Sequence, residues 1–303
     1  MPESAVVGQP PLGRAVARSG PRQPFGSRLA AAMAARGPLC VGIDPHPALL
    51  ADWGLNDDVA GLERFSLTVV EAVATLAAAV KPQVALYERH GSAGMAVLER
   101  TLAAASDAGV LSIADAKRGD IGSTMAAYAD AWLRDGSSLA ADSVTLSPYL
   151  GFESLRPALD LAAGCGRGVF VLALTSNPEG KSVQHVGGSE SVARRIVEAA
   201  AQENRRYAGA PGWVGMGSVG LVVGATVGTA LVDLGLDLNA VRGPILAPGL
   251  GAQGATPADL RATFGEAYPA VLATSSRGIL AAGSSIPGLR SATEVTRDSL
   301  LTG

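Results

Sequence analysis

Apolar and polar positions along the chain follow two alternating periods. Short, nearly uninterrupted apolar runs recur at Leu39–Asp44, Val80–Tyr87, Val110–Lys117, Ala141–Leu146, Gly168–Leu174, Val219–Val223, Pro244–Ala247 and Ala270–Thr274. Between them, apolar residues return every three or four positions: Leu62–Ala79, Gly94–Ala108, Met125–Leu133, Ser154–Ala163, Ser191–Tyr207, Ala258–Phe264 and a last segment starting near Leu289. After Val219–Val223 the small residues of GATVGTALVDLG predict one more short helix. The first pattern is that of strands covered on both faces, the second that of helices packed by one face. Strand and helix alternate roughly eight times, in units of ~25–35 residues, which predicts the α/β class and a (β/α)8 TIM barrel. An open doubly wound sheet is the alternative. Its dinucleotide fingerprint is missing, because Gly42 is followed by Ile-Asp-Pro, and the glycines at 249, 251 and 254 come late in the chain.

Ahead of the first strand, FGSRLAAAMAARG predicts a short helix from Phe25, stopped by Gly37 and Pro38. Residues 1–24 are rich in Pro, Gly, Ser and Arg, with Glu3 as their only acid, and lack an apolar signal-peptide core. They read as a disordered extension, leaving 25–303 as one barrel domain.

Composition narrows the function. Hydrophobic residues make up 48% of the 303 and charged ones 17%, so a large core is available. A formal charge of −3 exerts no pull toward nucleic acid, and 4% aromatic residues do not supply a base-stacking surface. The uncharged stretch Ala208–Val232 is broken by Pro211 and several glycines, which makes it a buried strand and short helix rather than a membrane span. Cys40 and Cys165 have no metal-site spacing; they read as buried free thiols of a reducing compartment, hence a cytoplasmic protein. His46, His90 and His185 are too scattered for a zinc motif, and no GxSxG elbow is present.

The densest chemistry lies at Ile113–Thr124. Asp115, Lys117, Arg118 and Asp120 crowd into six residues directly after an apolar run. Regular strand alternation puts Asp115 and Lys117 on one face, and Gly119 and Gly122 let the backbone turn beyond it. A solvated ion pair at a strand end is the plain alternative. Other polar or glycine-rich groups also fall where strands end: Asp44, Ser176-Asn177, Gly249–Gln253 and Arg277-Gly278. In a TIM barrel that face carries the active site, and the loops after strands seven and eight often bind phosphate. Glycine-rich backbone offers N–H donors, and Arg277 a bidentate fork. A phosphate-bearing small molecule follows as the ligand class. By position at the start of its predicted strand, Lys81 could be a solvated residue of the opposite face, whereas its neighbour Pro82 argues that the strand starts later or is irregular.

With these residues in place, the chain from about Phe25 onward resembles the orotidine 5′-phosphate decarboxylase family, in its longer bacterial branch. Asp115-Ala-Lys117-Arg-Gly-Asp120-Ile121-Gly-Ser-Thr124 fits the family's DxKxxDIxxT signature. GIDPHP at Gly42–Pro47, VKPQ at Val80–Gln83, TSNP at Thr175–Pro178, PGLGAQG at Pro248–Gly254 and SSRG at Ser275–Gly278 follow in family order. The resemblance implies a barrel acting as a homodimer, without metal or organic cofactor, that converts orotidine 5′-monophosphate to UMP and CO2 in the last step of pyrimidine nucleotide synthesis. It implies no nucleic-acid or membrane partner. Lys81, Asp115, Lys117 and Asp120 resemble the family's alternating charged array, with Asp120, Ile121 and Thr124 reaching the neighbouring subunit's site. Asp44 resembles the ribose-hydroxyl ligand and Ser176 the pyrimidine contact. Gln253, Arg277 and Gly278 resemble the phosphate grip, and Pro248 is a further expected substrate-binding residue. A magnesium-dependent phosphosugar decarboxylase of the same barrel type and a non-catalytic nucleotide-binding barrel are the competing readings.

Overall fold

The computed structural model of the chain describes residues 22–209, 215–251 and 254–302. The strands are β1 (Leu39–Ile43), β2 (Ala79–Pro82), β3 (Leu111–Arg118), β4 (Ser143–Leu146), β5 (Gly168–Leu174), β6 (Val219–Val223), β7 (Ile245–Pro248) and β8 (Val271–Ser275). All neighbours are parallel, and they close in sequence order into a barrel through Leu39↔Ala273 and Cys40↔Thr274. The expected barrel is therefore the observed one, and the open sheet is excluded. β5 and β6 coincide with their apolar runs residue for residue.

The core has two parts. One fills the layer between the strands and the surrounding helices, with Phe65, Val69, Leu98 and Leu133 among its fully buried members. The other plugs the N-terminal mouth. There the helix Phe25–Arg36 lays Phe25 and Leu29 against Cys40, Ile113, Phe170 and Leu272 from inside the barrel. The Phe25 and Phe170 rings meet edge to face, 5.9 Å apart at 87°. Gly168 is required beneath them, because a Cβ at that position would run into the Phe25 ring. Arg28 of the same helix pairs with Asp142 at 2.5 Å, and Asp142 accepts the Ser112 N–H at 3.0 Å. With this mouth sealed, the polar strand ends at the other mouth are the accessible part of the barrel interior.

Several boundaries differ from those expected, for local reasons. The helix expected over Leu62–Ala79 runs Val59–Val73, starting early because the Asp58 carboxylate accepts the Gly61 N–H at 2.8 Å and caps it. Ala79 belongs to β2. The strand expected over Val80–Tyr87 ends at Pro82, and Ala85–Glu88 is a helical turn. Pro82 has no N–H for the ladder; the Gln83 N–H still bonds to the Ile43 carbonyl at 3.1 Å, Gln83 bridges Asp115, and the chain then turns into Ala85–Glu88. The small-residue helix after β6 shrinks to Ala230–Asp233. Cys40 is buried as expected, but Cys165 is only half-buried. The N-terminal extension splits. Arg22 is tied down by the Asp135 carboxylate and the Cys165 carbonyl, each at 2.8 Å, whereas residues 1–21 lie outside the described residues. Among the described residues no helix is long and apolar enough to cross a membrane.

Candidate active site

The site is built on an irregularity in β3. Ala114 pairs with Val144 and Arg118 with Leu146, so four residues of β3 span what two cover on β4. The surplus is thrown out as a bulge at Asp115–Lys117. Lys117 sits at φ 48°, a left-handed conformation that costs a non-glycine residue about 1–2 kcal/mol. Thr145 fills the space opposite: its Oγ1 accepts the Lys117 N–H at 2.9 Å and donates to Asp115 Oδ1 at 2.9 Å. Asp115 and Lys117 meet as alternation predicts, with Nζ donating to Oδ1 at 2.6 Å, but through the bulge rather than a regular pleat. Of the two glycines expected to turn the chain, Gly122 does so at φ 53°. Gly119 has another role, because its backbone lies so close to the Ser147 carbonyl that a Cβ would collide with it.

Of the two positions open to Lys81, the structure shows the buried one. Because β2 stops at Pro82, Lys81 lies at the C-terminal end of its strand, buried in the site. Its Nζ donates to Asp115 Oδ2 at 2.8 Å, and only a tenth of either side chain is exposed. Gln83, with its amide nitrogen turned to the carboxylate, donates to the same oxygen at 2.7 Å. Asp115 thus accepts from Lys117 and Thr145 on one oxygen and from Lys81 and Gln83 on the other, filling its acceptor capacity.

Electrostatics follow from that shell. Burial works to raise the Asp115 pKa, but the Lys81 and Lys117 ammonium groups outweigh it and hold the carboxyl well below the usual carboxylate range. Burial likewise works against the Lys81 ammonium, and the Asp115 and Asp44 carboxylates overcome it, holding its pKa above the ordinary lysine value. Cys40, fully buried behind this cluster, has its thiol pushed up to about 12 and is chemically inert.

A stability prediction arises here. Asp115→Asn takes from the buried Lys81 ammonium the carboxylate it hydrogen-bonds, and is expected to cost about 3–5 kcal/mol in denaturant unfolding at pH 7. Because the folded-state pKa of Asp115 lies below its unfolded value, the carboxylate's contribution is complete above the ordinary value of about 4 and lost as pH falls further. The gap between parent and variant should therefore hold at neutral pH and narrow only below about pH 4; a gap constant down to acid pH contradicts the pairing.

The remaining expected residues fall around the same mouth. Asp44 follows β1, and its Oδ1 is buried with no hydrogen-bond partner among the described residues. Pro248 pairs with Thr274, which sets the loops after β7 and β8 side by side. Gly249 and Gly251 have φ of 126° and 77°, and the Gly251 N–H closes the loop onto the Ala255 carbonyl at 2.9 Å. Arg277 and Gly278 are exposed at the start of the turn Arg277–Leu280, and Gln253 lies outside the described residues. Ser176 is exposed after β5. Asp120, Ile121 and Thr124 are not brought into this chain's own array. The Asp120 carboxylate accepts the Ile121 N–H at 2.8 Å and has no ion-pair partner among the described residues. Thr145 and Gln83 were missed as site residues. Thr145 sits in an ordinary apolar run, while Gln83, two positions after Lys81 in VKPQ, was within reach of the pattern. Among the described residues no cluster of His, Cys, Asp and Glu is arranged to hold a metal ion.

Residues 37–289 match the Orotidine 5′-phosphate decarboxylase / HUMPS family. The chain belongs to that family. The orotidine 5′-phosphate decarboxylase of Salinispora arenicola is 58% identical over 272 residues, covering 89% of this chain and 94% of that protein. That of Streptomyces coelicolor is 56% identical over 275 residues, covering 90% and 95%. A crystal structure of the Streptomyces avermitilis protein assigned to the same enzyme superposes with a TM-score of 0.87 at 54% identity, covering 95% of this chain and 98% of that one. The expected enzyme class, a decarboxylase of pyrimidine nucleotide synthesis on a TIM barrel, is borne out.

Proposed function

We propose that this chain converts orotidine 5′-monophosphate to UMP and CO2 at the C-terminal mouth of the barrel, with Lys117 as the proton donor. The observation that carries the assignment is the hydrogen-bonded row Lys81–Asp115–Lys117, which joins the end of β2 to the β3 bulge, in a chain whose relatives bear this enzyme's name. Production of UMP and CO2 in equal amounts from orotidylate is the test.

The chemical difficulty is the electron pair left on pyrimidine C6 when CO2 departs, since no neighbouring atom of the ring delocalises it. The Lys117 ammonium stabilises that charge as it develops and then transfers a proton to C6, so that the C–C bond is replaced by a C–H bond. Asp115 fixes the ammonium in place, and its own position is set by Lys81, Thr145 and Gln83, so little reorganisation accompanies the reaction. Repulsion between Asp115 and the substrate carboxylate adds ground-state strain as a lesser effect. The unpartnered oxygen of Asp44 suits a ribose hydroxyl donor. Pro248, Gln253, Arg277 and Gly278 hold the phosphate, whose binding energy is used at the distant carbon. Ser176 contacts the pyrimidine.

The functional unit in this reading is a homodimer. Ile121, Tyr149 and Leu150, which follow the ends of β3 and β4, stand 61%, 80% and 54% exposed, large apolar side chains that a second copy would cover. Asp120, Ile121 and Thr124 then serve the neighbour's site. The cytoplasm suits the two free thiols. A magnesium-dependent phosphosugar decarboxylase, the other reading, finds no support in the names of the 55–58% identical relatives.

A further inference from the structure

Arg118 directly follows Lys117 but takes no part in the charged array. Its side chain points among the outer helices and makes three different contacts there. One guanidinium nitrogen, Nη1, folds back to the Ala116 carbonyl at 3.1 Å, spanning Lys117. Nη2 pairs with Glu88 of the turn Ala85–Glu88. The guanidinium also lies 5.7 Å from the Tyr128 ring centroid and 5.8 Å from that of Trp132, both on the helix Gly122–Leu133. On the main chain, the Arg118 carbonyl accepts the Ser147 N–H at 2.7 Å where β3 rejoins β4.

These contacts bracket the strained residue. Lys117 at φ 48° would gain about 1–2 kcal/mol by relaxing to an extended conformation, and its ammonium would then swing away from its present direction. Thr145 restrains the bulge at the Lys117 N–H, inside the barrel. Arg118 restrains it from outside, joining Ala116 on the near side of Lys117 to two helices on the far side. We propose that Arg118 is a positioning residue that staples the β3 bulge and thereby aims Lys117. The contact set fits arginine and not lysine: a planar fork reaches a carbonyl and a carboxylate together while its face lies against rings. The proposal rests on Lys117 being the proton donor.

The test is steady-state kinetics on the full chain, with kcat expressed per UMP-binding site. Arg118→Met keeps an unbranched stem against the rings and removes the charge and donors. A misaimed catalytic group costs up to about 10²-fold, so kcat is expected to fall at least about tenfold while KM and the UMP dissociation constant stay within about twofold. Arg118→Lys, which retains the charge opposite Glu88, should fall between the parent and Arg118→Met. A kcat within about twofold of the parent overturns the proposal. So does a loss appearing equally in KM or in the number of binding sites, the signature of general disorder. If Arg118→Met gives no folded protein, Arg118→Lys decides, and a parental kcat in it overturns the proposal. Lys117→Ala separates the two failures: inactive Lys117→Ala beside normal Arg118→Met rejects only the staple, whereas active Lys117→Ala rejects the proton donor.

Discussion

Lys117→Ala is expected to abolish UMP formation while the protein still folds and binds UMP. In the proposed reaction the substitution removes both the cation that stabilises charge at C6 and the acid that protonates it. Each effect is worth about 10²–10⁴-fold, so kcat should drop by at least about 10⁴-fold, more than about 5 kcal/mol of barrier. Folding should survive because the Lys117 side chain is 47% exposed and Asp115 keeps Lys81 at 2.8 Å and Thr145 at 2.9 Å. UMP titration and thermal unfolding measure the second half of the expectation. Turnover within about tenfold of the parent, a loss of only about 1.4 kcal/mol, sinks the assignment.

Asp120→Ala is expected to be inactive too, but for a reason that a mixing experiment exposes. Asp120 makes no ion pair within the described residues of its own chain, and the next residue, Ile121, is an exposed apolar side chain. If it acts across a two-fold interface, a heterodimer of Asp120→Ala with Lys117→Ala contains one site with both residues intact and one with neither. Mixing two inactive homodimers under exchanging conditions should then restore activity, to about a quarter of the parental value when chains mix at random. Formation of mixed dimers without any activity removes Asp120 from the partner's site.

The barrel was legible because buried parallel strands and one-faced helices have distinct periods, and β5 and β6 could be delimited to the residue. Where one residue interrupts the pattern, the reading stayed open. Pro82 marked the run Val80–Tyr87 as irregular without saying where β2 would end; because β2 stops there, Lys81 lies at its C-terminal end, in the buried heart of the site. Asp115 and Lys117 were visible as a pair. The bulge that joins them was not, because it depends on the register between β3 and β4, and register is a property of two strands. Thr145 escaped notice for the same reason, since its role is to fill the gap the bulge opens. Asp44 and Arg277 stood out as polar groups at strand ends, but which loops adjoin was decided by barrel closure, which sets β8 between β7 and β1. The role proposed for Asp120 lies between two chains, and a single chain's folding pattern does not encode a contact of that kind.

The most direct measurement is the time course of orotidylate consumption by the purified chain, followed by ultraviolet absorbance and product analysis, with and without EDTA. Equal amounts of UMP and CO2 at the same rate in both samples are the predicted result. No conversion of orotidylate, or conversion that EDTA abolishes, would contradict it.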